Sequence, residues 1–203
     1  MSKPQLFYFD APVSRGEECR LAFSAAGIDF EDVRLPREKW AEMKPKSEYG
    51  SAPWVEVDGK RLAQSNAILG WIGAQSDLLP KDSFEAAKHI AMMQHVEDLR
   101  LKLSPSLRIS EAEAKKKARE ELAATTIPDW AGFTERQIGD GPFFGGKQLS
   151  VADIKLFMIV KWLIGGALDH IPTTVLDPFP KLKRLHDAVK EHPGVKAWQQ
   201  KHS

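Results

Sequence analysis

Cysteine is nearly absent: Cys19 is the single one among 203 residues. Without a second thiol the chain holds no intramolecular disulfide and no cysteine-rich metal site. Net charge is equally scarce, with 29 Lys and Arg against 28 Asp and Glu, a formal +1. That balance gives no support to a nucleic-acid partner or a polybasic membrane surface. No apolar run approaches the roughly 18 to 20 residues of a membrane span. The opening MSKPQLFYFD lacks the charged-then-apolar pattern of a signal peptide, so a cytoplasmic location is expected. The six histidines show no metal spacing, and Gly145-Gly146 and Gly165-Gly166 are isolated pairs rather than a phosphate cradle; no metal is expected. Repeats and low-complexity tracts are missing too. What is present is 42% hydrophobic and 28% charged residues, the composition of a chain that folds around a core.

The elements follow from local pattern. Gln5 to Phe9 is an apolar-aromatic run closed by Asp10-Ala11-Pro12 and reads as a strand. Gly16 to Ala26 is rich in helix formers and ends at Gly27. Ile28 to Leu35 returns to strand composition, which makes a parallel pair with a crossover helix. Trp54 to Val57 alternates, Asp58-Gly59 is a hairpin turn, and Lys60 to Ala63 runs back. Ser65 stands as N-cap before a short apolar helix. Residues 1–76 therefore read as βαβ then ββα, and 77–83 as a polar linker. Residues 84–203 read as all-helical. Phe84 to Leu103 is a long helix with Ile90, Met93, Val96, Leu99 and Leu103 inward. Ser110 to Ile127 starts on a capping box, and Ser150 with Asp153 forms another before the buried helix Ile154 to Ile164. Phe179 to Glu191 and Gly194 to Lys201 close the chain.

Several motifs stand in a familiar order: Tyr8-Phe9 in the first strand, Tyr49-Gly50 before Pro53, and Leu62-Ala63-Gln64-Ser65-Asn66-Ala67-Ile68-Leu69. Val96-Glu97-Asp98-Leu99-Arg100 and Gly146 to Ile154 follow in register. Over essentially its whole length the chain resembles the cytosolic glutathione S-transferases of the tyrosine type, sigma and pi especially. The resemblance implies a thioredoxin-like glutathione-binding domain followed by a helical bundle. It also implies an enzyme in which glutathione, as co-substrate, is activated as its thiolate to attack a hydrophobic electrophile, or to reduce a peroxide or isomerise. A homodimer serving detoxification is expected with it. The alternative is a non-catalytic ligand-binding or structural protein of the same fold.

A free thiol has a pKa near about 8.5. Lowering it by one to two units takes roughly 1.4 to 2.7 kcal/mol, and one hydrogen bond to a charged group supplies about 1.5 to 3 kcal/mol. One hydroxyl is sufficient. By resemblance it belongs to Tyr8, with Ser14 as rival, because about three extra residues separate Tyr8 from Arg15-Gly16 and bring Ser14 to a helix start. The resemblance assigns Gln64 and Ser65 to the γ-glutamyl carboxylate, and Ala52 with a cis Pro53 to the cysteinyl backbone. It assigns Trp40 and Lys44 to the glycine end, and Asp98 to the γ-glutamyl ammonium in the neighbouring subunit. Phe9, Leu103 and Trp162 are candidate walls for the electrophile. Glu17 stands where the tyrosine-type pattern commonly has Arg, and Cys19, inside the first helix, reads as a buried structural thiol.

Overall fold

The computed structural model describes residues 2–202; Met1 and Ser203, the outer limits of the expected domains, lie outside the described residues. Four strands, β1 (Gln5–Phe9), β2 (Glu31–Leu35), β3 (Trp54–Val57) and β4 (Lys60–Ala63), form one sheet in the order β2-β1-β3-β4. β1 and β2 run parallel, joined by helix α1 (Ser14–Ala25), while β3 is antiparallel to both β1 and β4. Asp58 and Gly59 turn the β3–β4 hairpin with φ of 49° and 72°, the positive pair a two-residue turn favours. β2 is shorter than its composition suggests. The Ile28 N–H closes back on the Phe23 carbonyl at 3.0 Å, and Phe30 stacks on Phe23 and Trp198 at 4.6 and 5.4 Å. Those residues serve packing instead of the ladder.

Between β2 and β3 the chain forms helix α2 (Trp40–Met43), flanked by short 3₁₀ turns at Arg37–Lys39 and Lys44–Lys46. Helix α3 (Ser65–Ala74) follows β4 and packs on α1. The expected βαβ–ββα, thioredoxin-like arrangement is the observed one. A second layer of core gathers Leu35, Trp54 and Ala63, with Phe7, Phe9, Trp40, Met43 and Ala52 packed against it.

The remaining elements are helical: α4 (Ser83–Leu103), α5 (Ala112–Glu121), α6 (Ile127–Gln137), α7 (Val151–Ile164), α8 (Pro180–Glu191) and α9 (Pro193–His202). The chain divides into two compact units, Met1–Ala86 with Glu191–Ser203, and Ala87–Lys190. Helix α9 therefore groups with the sheet, not with the helical unit that the sequence reading extends to residue 203. Trp198 of α9 donates to Glu17 at 2.9 Å, and the Ser24 hydroxyl donates to the Gly194 carbonyl at 2.7 Å.

In the helical unit α7 is buried on every side from Val151 to Val160. Its Lys155, fully enclosed, meets Glu97 of α4 at 2.6 Å, and Arg100 meets the same carboxylate at 2.7 Å. The inner face of α4 differs from expectation at one position: Ile90 is exposed, and His89 is buried edge-on against Phe144, ring centroids 4.9 Å apart. The cap of α5 is Glu111, whose carboxylate accepts from the Glu113 and Ala114 N–H groups, in place of Ser110. A π-helical turn over Leu122–Thr126 then leads into α6, which the sequence reading left without an element. At α7 the expected capping box is present. Ser150 accepts from the Asp153 N–H, and Asp153 accepts from the Ser150 N–H at 2.8 Å.

Candidate active site

The register of the sheet defines the site. Phe7 pairs with Trp54, and Trp54 pairs with Ala63, so one row crosses three adjacent strands. The residues just beyond that row leave the same edge: Tyr8 at the end of β1, Pro53 and Ala52 before β3, Gln64 and Ser65 after β4. Adjacent strands lie about 4.8 Å apart, which places the Tyr8 and Gln64 ends of the row roughly 10 Å from each other.

Tyr8 is 8% exposed and its ring lies directly on the first turn of α1. A β-carbon on Gly16 would fall 1.9 Å from Tyr8 Cδ1, so only glycine fits there. The Arg20 guanidinium stands 5.6 Å from the ring centroid. Burial pushes the Tyr8 phenol above its usual value, while hydrogen bonds from the Ser14 hydroxyl and the Gly16 N–H pull it back. The nearby Glu18 raises it and Arg15 lowers it, both weakly. At neutral pH the group is an un-ionised phenol, a donor.

Ser14 is the first residue of α1, and Val13, extended at φ −141°, is the N-cap. Ser14 itself takes φ 59°, a left-handed backbone that costs a non-glycine residue about 1–3 kcal/mol. Gln64, not Ser65, is the cap residue of α3, with φ 73° and an exposed side chain. Ser65 is the helix's first residue and is 4% exposed. The N-terminus of α3 supplies positive potential at that end of the row.

The Ala52–Pro53 bond is cis. Ahead of it, Ser47 ties the loop closed: its hydroxyl donates to the Ser51 carbonyl at 2.5 Å and accepts from the Ser51 N–H at 3.1 Å. Trp40 is half-buried and meets Phe9 edge-on at 5.1 Å, and Phe9 meets Tyr8 edge-on at 5.4 Å. An aromatic chain therefore links two of the expected site residues through a third. Lys44 is exposed, its stem over Gly50, where a β-carbon would stand 3.4 Å from Lys44 Cε.

The other expected residues belong to the helical unit. Asp98 is exposed on α4, 3.5 Å from the Gln94 amide. Leu103 is fully buried and has no surface to offer a ligand, whereas Trp162 on α7 is half-buried. Glu17 is committed to the interior, accepting from Trp198 and from Arg20 at 3.4 Å, so it does not stand in for a surface cation. Cys19 is fully buried. Among the described residues no three His, Cys, Asp or Glu side chains converge as a metal site would require. Among the described residues no helix is long and apolar enough to cross a membrane.

Sequence reasoning missed Gly16 as the seat of the Tyr8 ring and Arg20 as the anchor of the strand end. Arg20 is completely buried and donates to the carbonyls of Phe9 and Ala11 at 3.0 and 2.9 Å and to Asp32 at 2.8 Å. A lone arginine in a helix carries no local signal for this.

Comparison with known proteins points the same way. The family model described as the glutathione S-transferase N-terminal domain matches residues 4–74, and that of the C-terminal domain matches 97–202. Glutathione S-transferase 1 of Ascaris suum is 31% identical, covering 98% of this chain and 96% of the relative. Hematopoietic prostaglandin D synthase of Gallus gallus is 30% identical, covering 99% and 97%. The solved structure of prostaglandin synthase D of Nilaparvata lugens superposes with a TM-score of 0.87 at 30% identity, over 100% of this chain and 99% of that one. Two domain models in the right order and full-length relatives establish that the chain belongs to the glutathione S-transferase family.

Proposed function

We propose that this glutathione transferase activates its co-substrate through the Tyr8 hydroxyl, which donates to the sulfur and holds it as thiolate. The observation that carries the reading is the row from Phe7 through Trp54 to Ala63. A buried phenol lies beyond one end and a helix N-terminus beyond the other, roughly 10 Å away. The γ linkage lengthens the first half of glutathione, so its reach from the γ-glutamyl α-carboxylate to the cysteinyl sulfur is itself roughly 8–10 Å, with the glycine end still to spare. With the γ-glutamyl carboxylate on Gln64, Ser65 and the α3 N-terminus, the cysteinyl backbone runs past Ala52 and Pro53, and the thiol reaches Tyr8. Trp40 and Lys44 take the glycine carboxylate.

The thiolate then attacks an electrophilic carbon. A carbon–sulfur bond forms as the leaving-group bond breaks, and the thiol proton has already passed to solvent. Peroxide reduction and isomerisation draw on the same thiolate, and two of the relatives above are named hematopoietic prostaglandin D synthase and prostaglandin synthase D. Of the expected electrophile walls, Phe9 and Trp162 each keep exposed surface, and Phe9 lies next to Tyr8. Asp98, exposed on α4, suits a role toward glutathione in a neighbouring subunit of a cytoplasmic homodimer.

The test is the ultraviolet thiolate titration of bound glutathione in wild type and Tyr8→Phe. A wild-type pKa one to two units below the free value of about 8.5, returning toward it in the variant, supports the assignment. A bound thiol that titrates at the free value in wild type overturns it.

A further inference from the structure

Tyr8 stands where the sheet stops supporting the chain. β3 pairs with Gln5, Leu6 and Phe7 of β1, so Tyr8 and Phe9 have a strand neighbour on the β2 side alone, opposite Arg34 and Leu35. The chain then leaves the sheet from Asp10 to Val13 before α1 begins. One side chain supplies the missing support. Arg20 of α1, completely buried, donates to the Phe9 carbonyl at 3.0 Å and to the Ala11 carbonyl at 2.9 Å. Its Nε donates to Asp32 at 2.8 Å, and its guanidinium stands 5.6 Å from the centroid of the Tyr8 ring. A guanidinium holds its donors in a fixed plane, so one rigid group sets the loop and β2 relative to α1.

The same group is reached from the far end of the chain. Glu17 accepts from Arg20 at 3.4 Å and from the Trp198 indole N–H of α9 at 2.9 Å. Trp198 stacks on Phe30 and on His202, with ring centroids 5.4 and 3.8 Å away. Nor is α9 free to slide on α1. A β-carbon on Gly194 would fall 2.6 Å from the Ala25 α-carbon, and the Ser24 hydroxyl donates to the Gly194 carbonyl at 2.7 Å. We propose that Arg20 is a positioning residue for the reaction, fixing the strand end that carries Tyr8, and that Trp198 joins α9 to the same device through Glu17. The role so assigned rests on the reading of Tyr8 above.

Arg20→Lys keeps the charge, but one ammonium cannot reproduce the fork that reaches two carbonyls and Asp32. Trp198→Phe keeps an aromatic ring and removes the N–H. Each variant is assayed well below its unfolding temperature, with stability measured apart in denaturant. A merely structural residue lowers stability without changing the chemistry of the folded protein. In Arg20→Lys the thiol pKa of bound glutathione rises by about half a unit to one unit, part of what Tyr8 supplies. Turnover of an activated aryl chloride falls by about three- to tenfold near neutral pH, and the loss narrows as pH rises. Affinity for S-methylglutathione, which has no thiol to ionise, stays within about twofold. Trp198→Phe moves the thiol and turnover the same way by about half as much, and adding it to Arg20→Lys costs no further turnover. In Tyr8→Phe, adding Arg20→Lys leaves the thiol titration where it was. A fall in S-methylglutathione affinity in step with turnover assigns Arg20 to the integrity of the whole site and overturns the proposal. An Arg20→Lys loss that persists in Tyr8→Phe equally overturns it, and losses that multiply in the double variant remove α9 from the device. If wild-type glutathione titrates as free thiol, the reading of Tyr8 fails and this role with it. A lowered wild-type thiol pKa that Arg20→Lys does not raise overturns this role alone.

Discussion

Asp153 sets two opposing effects against each other, and substituting it shows which prevails. Its carboxylate is completely enclosed and accepts from the Phe144 N–H at 2.6 Å, the Ser150 N–H at 2.8 Å and the Ser150 hydroxyl at 2.5 Å. Burial pushes its pKa from 3.8 to about 6, and the donors only partly hold it down. The folded state therefore binds this proton more tightly than the unfolded chain does. The stability so contributed is fully present below about pH 4 and is lost as pH rises through about 6. The change amounts to about 3 kcal/mol. Asp153→Asn removes the titration but leaves an amide with one acceptor oxygen facing three donors, and orphaning a buried donor costs about 1–3 kcal/mol. We expect the variant to trail wild type most at pH 4 and to approach or pass it above pH 7. Denaturant midpoints of both proteins across that range measure the gap, and every other titrating group cancels in the difference. A gap that widens with pH refutes the reasoning, because the donors would then outweigh burial.

Gly16→Ala drives a methyl group to within 1.9 Å of the Tyr8 ring. Its helix-propensity gain of about 1 kcal/mol is outweighed by overpacking of about 1–3 kcal/mol or more, and on the role proposed for Tyr8 the thiol pKa of bound glutathione moves toward the free value. Wild-type stability with an unchanged thiol titration would contradict this. Trp198→Phe keeps the stacking on Phe30 but removes the 2.9 Å donor to buried Glu17. A loss of about 1–3 kcal/mol in chemical denaturation is expected, and Glu17→Gln in the same background recovers part of it. Glu97→Ala leaves the side chains of Lys155 and Arg100, 0% and 5% exposed, without the carboxylate they share. It costs about 3–5 kcal/mol, whereas Lys155→Met, which leaves Arg100 on Glu97, costs less. Equal losses would show that the two cations do not depend on Glu97 alike.

Legibility followed how local each determinant is. β1, β3 and β4 were readable to the residue because alternation and the Asp58-Gly59 turn lie within a few positions of one another. Helix starts were harder. Ser14 and Ser65 look like N-caps, yet each is the first helical residue, since the bend before it falls at Val13 and at Gln64. Helix α6 was not read as an element of its own, although Pro128 is well placed in its first turn. The buried His89 and Lys155 were unreadable for another reason: they face Phe144 and Glu97, which are distant in sequence. Of the site, the Gln64-Ser65 end and the cis Pro53 were legible through motif. What anchors the five residues between Tyr8 and Ser14 was not, because Arg20, which holds the Phe9 and Ala11 carbonyls, carries no local signal.

That segment, Phe9 to Val13, would leave Tyr8 poorly anchored if it were held only at its ends. Arg20 holds it in the middle, on the carbonyls of Phe9 and Ala11. A buried guanidinium needs compensating charge, and Asp32 on β2 and Glu17 on α1 both supply it. Asp32 is shared with Arg34, which donates to it at 2.9 Å, and Glu17 takes a neutral donor as well, Trp198 of α9. The last helix of the chain thereby satisfies the group that anchors the first strand's end. The Glu17 substitution that departs from the tyrosine-type pattern is then structural: a carboxylate at this position closes the network from α9 to β1, which an arginine there would break by placing a second cation beside Arg20.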